Sequence, residues 1–534
     1  MANVADLLSV EPSLRLDRAA MRQTLAFAFA AGTQADTFDR HLAAMRLPPS
    51  TWDAAQFSRD LFLADFVDRC LPIKALGRTY EGNAVYLARV IASPPRDESN
   101  VEMRRAIFRE LLENKKFRTD LEEVYASICD LRAQISASRF VSPYLRRLEI
   151  LRNIHAAFAV LAKSFEGAQS ELSRVRTLGA DVVEGAAYKR LDALLDHDAH
   201  LSTLDVRVRV GADGEVRTFQ IVTVRENRAN PFYSSAVGRF LSRLFLAFRG
   251  YRMSGGEVAE RLFDDVFTSL EEYTMALFQL LADVEFYLGV LGLHDMAAAK
   301  GLAMCFPVEP SGNASVAIKR LFNPLLLDGK ISPVPCDLNS DKSGSVIFVT
   351  GPNSGGKTRL LQAIAFAQML SQVGALVPAE KAALSPVSGL FVSLVEEARS
   401  DQPEGQLGME LIRIRKMFEQ LDVNSLVLLD ELCSGTNPSE GEEIARLVIS
   451  LLPELGAKVF VTTHLLSFAS RLSTEASQAG LEFLQVELDS LDRPTYGFLP
   501  GVAKTSLAHK TAARLGVTRE ELSEIIARKR RRKS

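Results

Sequence analysis

The sequence predicts an α/β domain on a largely parallel sheet, preceded by a mainly α-helical region that carries one small β-hairpin. Three observations predict it. Proline is absent from Tyr144 to Asn230 and again from Phe232 to Phe306; because proline removes a donor and clashes with the preceding turn, these windows can hold long helices. From about residue 311 short apolar segments alternate with helical ones, the rhythm of βαβ units. A glycine-rich loop joins one of those segments to the helix after it.

Composition sets the bounds. With 534 residues, 47% apolar and 24% charged, the chain is long enough for two to four domains, each with its own core. A net charge of -3 excludes a uniformly basic nucleic-acid coat but not a local basic surface. No run reaches the ~18 to 20 uncharged apolar residues of a bilayer span, so no membrane partner is expected. The apolar run Leu25 to Ala31 follows Glu11, Asp17 and two arginines and is too short for a secretion signal. Five cysteines (Cys70, Cys129, Cys305, Cys336, Cys433), odd in number and without paired spacing, favour a reducing cytoplasm over disulfides or zinc.

Along the chain, residues 1–75 read as an N-terminal helical segment and 76–310 as a helical core. Residues 311–517 form the α/β domain, and 518–534 a helix with the basic end RKRRRKS. Helices are expected over 101–134, 144–176 and 256–291. In the last, Val258, Leu262, Val266, Leu270, Tyr273, Leu277, Leu281 and Val284 mark one side of an amphipathic helix roughly 50 Å long. Between them, LDVRVRV, a turn at Gly211-Ala212-Asp213-Gly214 and EVRTFQIVTV predict a hairpin over 204–224. It either patches the helical core or offers Arg207, Arg209 and Arg217 to a nucleic acid or protein. Lys115, Lys116, Arg118, Arg139, Arg146, Arg147 and Arg152 likewise make either solvated helix faces or a DNA contact, and the basic end could hold phosphate or simply solubilise. In the α/β domain the strand candidates are 346–350, 390–394, 425–429 and 458–463, with helices over 358–372, 408–420 and 439–452.

The chemistry sits at the ends of those strands. Gly351-Pro352-Asn353-Ser354-Gly355-Gly356-Lys357-Thr358 fits the pattern G-x-x-x-x-G-K-[ST] between an apolar strand and a helix. Glycines let backbone N–H groups face phosphate oxygens, the helix N-terminus adds positive potential, Lys357 reaches the β- and γ-phosphates, and the Thr358 hydroxyl ligates Mg²⁺. This predicts a bound nucleotide. Downstream, SLVLLDELCSGTNPSEG ends a strand in Asp430-Glu431, a residue to hold Mg²⁺ beside one able to polarise an attacking water. Asn437-Pro438-Ser439-Glu440 then reads as a helix start, with Asn437 as the cap. His464 ends the strand KVFVTT at the edge where α/β sheets place ligands, and is expected to touch the γ-phosphate or water. The other six histidines read as structural or solvated.

Together, TGPNSGGKTRLLQAIAFAQMLSQVGALVPAEKAAL, LVLLDELCSGTNPSEGEEIA, VFVTTH and PTYGFLPGVAKTSLAHKTAARLGV resemble the ATPase domain of the MutS family, the clamps of DNA mismatch repair and DNA-junction handling. The likeness is specific over about 345–517. LFNPLLL (321–327) and the stretch from Val85 to Val124 resemble upstream parts of the same family more weakly. The resemblance implies a P-loop ATPase using ATP and Mg²⁺, a homodimer with two composite sites, and long helices reaching toward mismatched or branched DNA. Three departures accompany it. Nothing in the first 75 residues resembles the mismatch-reading domain with its Phe-x-Glu wedge. Gly405 stands where the family has a serine that contacts the opposite subunit's nucleotide. The chain ends soon after the ATPase without room for a nuclease domain. Two other classes fit less well: an ABC-type ATPase of a non-DNA machine, against which no LSGGQ-like sequence occurs between the nucleotide motifs, and a weakly hydrolysing nucleotide-binding scaffold.

Overall fold

The computed structural model describes residues 4–33, 35–137, 143–200, 203–210, 216–225, 257–310, 316–329, 332–340, 345–394, 406–432, 437–475, 480–504 and 518–531. They form two compact units. The first comprises residues 1–48, 72–90 and 97–291, the second residues 49–71, 91–96 and 292–534. The units therefore interleave in sequence. Whereas the sequence reading keeps 1–75 together as one segment, contacts assign 49–71 to the unit that carries the glycine loop.

The first unit is helical. Where one helix was expected over 101–134 there are two, Glu98–Glu113 and Lys115–Ser136, because Asn114 leaves helical geometry and its side chain accepts from the N–H groups of Lys116 and Phe117. The stretch 144–176 likewise splits into Pro143–Lys163 and Ser173–Glu184. Two strand pairs accompany them: β1 (Ile73–Ala75) with β2 (Arg78–Tyr80), and β3 (Thr203–Val210) with β4 (Val216–Arg225), both antiparallel. The second pair is the expected hairpin. Its turn and the positions of its arginine side chains lie outside the described residues.

The helix Glu257–Ala299 runs 43 residues, about 65 Å. It starts on the expected pattern but is not amphipathic throughout, since residues 274–293 are buried without interruption. A window within Leu262–Ala299 reaches a mean hydropathy of 1.5 and is long and apolar enough to cross a bilayer, contrary to the sequence expectation; that window is buried throughout. Two of its buried acidic residues are paired inside the unit. Asp283 accepts from Leu7 N–H at 3.2 Å, from Tyr86 at 2.9 Å and from Arg15, which also reaches Asp6 at 3.2 Å. Glu285 accepts from Asn83 N–H at 2.8 Å and Tyr125 at 3.2 Å.

The second unit holds a six-stranded sheet in the order β13-β12-β7-β11-β10-β9 and a three-stranded antiparallel sheet β6-β5-β8. The smaller sheet comprises β5 (Val316–Leu321), β6 (Cys336–Ser340) and β8 (Lys381–Leu384). In the larger, β7 (Val346–Thr350), β9 (Leu390–Ser393), β10 (Leu426–Leu429), β11 (Lys458–Thr463) and β12 (Leu481–Leu488) are parallel, and β13 (Pro494–Pro500) folds back antiparallel onto β12. Strands β7, β9, β10 and β11 are buried at every position, which is why they read as continuous apolar runs. Val346, Phe348, Val427, Leu429, Val459 and Val461 pack against Val448 and Ile449 of the helix Pro438–Leu451 and Phe468 of the helix Leu466–Glu475. Asn437 caps the former through Ser439 N–H at 3.2 Å, with proline at the first turn as expected. Strands β12 and β13 were not foreseen: β12 is only half-buried along most of its length, and β13 carries two prolines and a glycine at a sheet edge.

Candidate functional site

The site lies at the carboxyl ends of β7, β10 and β11, which the parallel order brings side by side. After β7 the chain turns at Gly351, whose φ of 137° suits only glycine, and enters the helix Lys357–Gln372 at Gly356, with φ 86°. Space is also limiting. A Cβ on Gly351 or Gly355 would come within 2.7 Å of the Val486 side chain on β12, so the loop can lie this close to the sheet only without side chains there. Pro352 closes the loop by accepting from Gly355 N–H at 2.9 Å, while Asn353 and Ser354 form its exposed crest.

Lys357 is buried and donates to the carbonyls of Gly351 at 3.1 Å and Pro352 at 3.2 Å. Burial pulls its ammonium below the usual lysine range, and the carboxylates of Glu431 and Asp430 oppose that shift. Thr358 donates its hydroxyl to Asp430 at 2.6 Å, so the helix start and the end of β10 meet directly. Thr462 at the end of β11 donates to the other oxygen of Asp430 and accepts from Glu431 N–H at 2.9 Å. Glu431 itself adopts φ 53°, the left-handed region that non-glycine residues avoid, and is held there by that bond. Its carboxylate lies 3.8 Å from the His464 ring, both half-exposed. The structure thus brings Lys357, Thr358, Asp430, Glu431 and His464 to one sheet edge. Gly405 lies outside the described residues.

Several contributors escaped the sequence reading. Thr462 and Thr350 are fully buried hydroxyls at strand ends. Thr350 donates to Leu484 O at 3.1 Å and accepts from Ala503 N–H at 2.9 Å. Two threonines closing the apolar runs VIFVT and VFVTT were the available signal. Asn323, in LFNPLLL, is buried and donates to Arg359 O at 3.1 Å and Gln362 at 3.0 Å, tying that segment to the loop's helix. Beside it opens a cavity of about 530 Å³ whose lining includes Asn323, Asp328, Gly356, Arg359, Tyr496 and Phe498.

The expected basic region offers little free charge. Arg146 is buried and donates to the carbonyls of Phe29, Ala137, Ile135 and Ala28, where it ties helix ends together. Arg147 pairs with Asp264, Arg152 with Glu149 and Arg118 with Glu122. Lys115 and Lys116 stay exposed, and Arg139 lies outside the described residues. Among the other histidines, His41 meets Thr24 and His155 stacks on Tyr188.

Residues 347–520 match the family model of MutS domain V. Those residues are a MutS-family domain. The chain is 34% identical over 227 residues to an endonuclease MutS2 of Thermomicrobium roseum, which covers 42% of this chain and 28% of that protein. It is 32% identical over 279 residues to an endonuclease MutS2 of Streptococcus thermophilus, with coverage of 50% and 33%. For the Thermus thermophilus endonuclease MutS2 the values are 34% over 239 residues, 44% and 31%. The chain therefore spans about a third of the length of the curated relatives it matches. The matched domain contains Gly351 to Thr358, Asp430, Glu431 and His464; Asn323 and the segment 49–71 lie outside it.

Proposed function

We propose that this chain is a MutS-like ATPase acting on DNA, which binds ATP with Mg²⁺ in a P-loop built from Gly351 to Thr358. The single observation that carries the reading is the 2.6 Å hydrogen bond from Thr358 to Asp430, which joins the glycine-loop helix to the acidic end of β10. A hydroxyl and a carboxylate in contact are hard oxygen donors, the kind Mg²⁺ takes from protein when nucleotide phosphates supply the rest of its shell. Thr358 and Asp430 would hold it, and the ion would neutralise charge on the phosphates.

The chain's own groups do the remainder. Backbone N–H groups of Gly356 and Lys357 donate to phosphate oxygens at the helix N-terminus. Lys357 exchanges the two loop carbonyls it now contacts for the β- and γ-phosphates. Thr462 keeps Asp430 oriented. Glu431, turned outward by its left-handed backbone, takes the proton of the attacking water, and His464 beside it contacts that water or the γ-phosphate. The cavity beside Gly356 is sized for a nucleoside. Binding of two such domains around ATP as a homodimer, and coupling to mismatched or branched DNA, follow from the family likeness.

Turnover of ATP by the purified chain, with and without duplex, mismatched, branched or single-stranded DNA, tests this. Glu431→Gln is expected to lower kcat about 10² to 10⁴-fold while ATP binding persists. Hydrolysis that survives the change removes Glu431 from its role. If no DNA form binds or alters turnover at moderate salt, the DNA reading fails.

A further inference from the structure

The segment 49–71 belongs to the second unit and follows the edge strand β9. Before β9, Trp52 donates its indole N–H to Val387 O at 3.2 Å and Thr51 its hydroxyl to Ser388 O at 2.6 Å. Beyond β9, the buried carboxylate of Asp60 accepts from Leu394 N–H at 2.8 Å. Farther along, Phe66 packs on Phe366 with ring centroids 4.4 Å apart, and Arg69 forms two 2.6 Å hydrogen bonds to Asp328. A buried aspartate is costly unless its charge is answered. Asp60 is answered by Arg59 at 3.2 Å, by Arg413 at 3.7 Å and by the Leu394 amide.

That amide occupies a telling place. Leu394 follows Ser393, whose carbonyl accepts from Asp430 N–H at 2.9 Å. The peptide unit between Ser393 and Leu394 is therefore held from both sides, by Asp60 at its N–H and by Asp430 at its C=O. Arg413, the second cation at Asp60, lines a small cavity together with Ser393 and Asp430. We propose that Asp60 is a positioning residue of the ATPase: through this one peptide unit it fixes the backbone of Asp430, and it gives Arg413 an anion other than Asp430. The inference rests on the ATPase reading above and adds to it a residue almost three hundred positions upstream of the glycine loop.

The experiment compares Asp60→Ala, Asp60→Asn and Thr51→Val in the full chain. Two quantities are measured: ATP turnover, and amide exchange of the peptide covering 426–432 without nucleotide. Asp60→Ala is expected to lower kcat about tenfold with KM for ATP within about twofold, and to speed exchange at Asp430. Asp60→Asn keeps an oxygen toward Leu394 and is expected to restore most of both. Thr51→Val removes a bond from the same segment at the opposite end of β9 and is expected to leave kcat and the 426–432 exchange unchanged. If Asp60→Ala does not fold, Asp60→Ser carries the same expectation. The proposal is overturned if the Asp60 variants keep wild-type kcat and exchange, if asparagine is as poor as alanine, or if Thr51→Val is equally impaired. A wild-type chain that hydrolyses no ATP defeats the functional reading instead, and the exchange measurement still decides whether Asp60 positions Asp430.

Discussion

Two acidic pairs, Asp430 with Glu431 and Asp283 with Glu285, have nearly the same composition and opposite surroundings. At the sheet edge, Asp430 is held by two threonine hydroxyls, and Glu431 is half-exposed beside His464. In the helix Glu257–Ala299, Asp283 and Glu285 are fully buried, and their oxygens accept from Arg15, Tyr86, Leu7, Asn83 and Tyr125. The comparison teaches that a carboxylate is available to a ligand only where something is left open around it. Neutral hydroxyls can turn aside for a ligand; a buried guanidinium cannot be exchanged without stranding a charge.

Removing Arg15 should sharpen this most. Arg15→Ala leaves Asp283 and Asp6 buried without their cation and should cost about 3 to 5 kcal/mol in thermal or denaturant unfolding; a cost below about 1 kcal/mol would show that Arg15 is not needed to hold them. Next is pH. Burial pushes the Glu285 carboxyl from its ordinary 4.5 up to about 7, against the lowering pull of Asn83 N–H and the charge of Arg132. A group whose folded pKa is raised contributes stability that is complete below its unfolded pKa and is lost as pH rises through its folded one. The first unit should therefore weaken between about pH 4.5 and pH 7, by about 3 kcal/mol, and Glu285→Gln should flatten that slope. An unchanged slope in the variant assigns it to other groups. Smallest is Thr462→Val, which removes the donor to Asp430 and the acceptor for Glu431 N–H but keeps the shape. It should reduce kcat about tenfold with little change in melting temperature. A large drop in melting temperature would place Thr462 with the structural pair instead.

Legibility followed the same division. Strands β7, β9, β10 and β11 could be read to within a residue because, buried on both faces, each is built on a run of apolar residues, and the glycine loop because its backbone demands are written in residue type. The break at Asn114 was harder, since the apolar period continues on both sides of it and only a capping side chain ends the helix. The basic cluster misled because charge is visible in sequence while partners are not: Arg146 is spent on four backbone carbonyls. Asp60 carried no signal, for its meaning depends on an amide 334 residues away.

The covering of β9 by residues 49–71 has a consequence for synthesis. Thr51 and its acceptor at Ser388 are 337 residues apart, so at usual translation rates the covering segment leaves the ribosome about 17 to 70 seconds before the edge it will cover exists. During that interval Trp52 lacks its acceptor at Val387 O and Phe66 lacks Phe366. A piece cut to the recognisable ATPase alone would emerge with β9 bare, an unpaired parallel edge open to pairing with its neighbours.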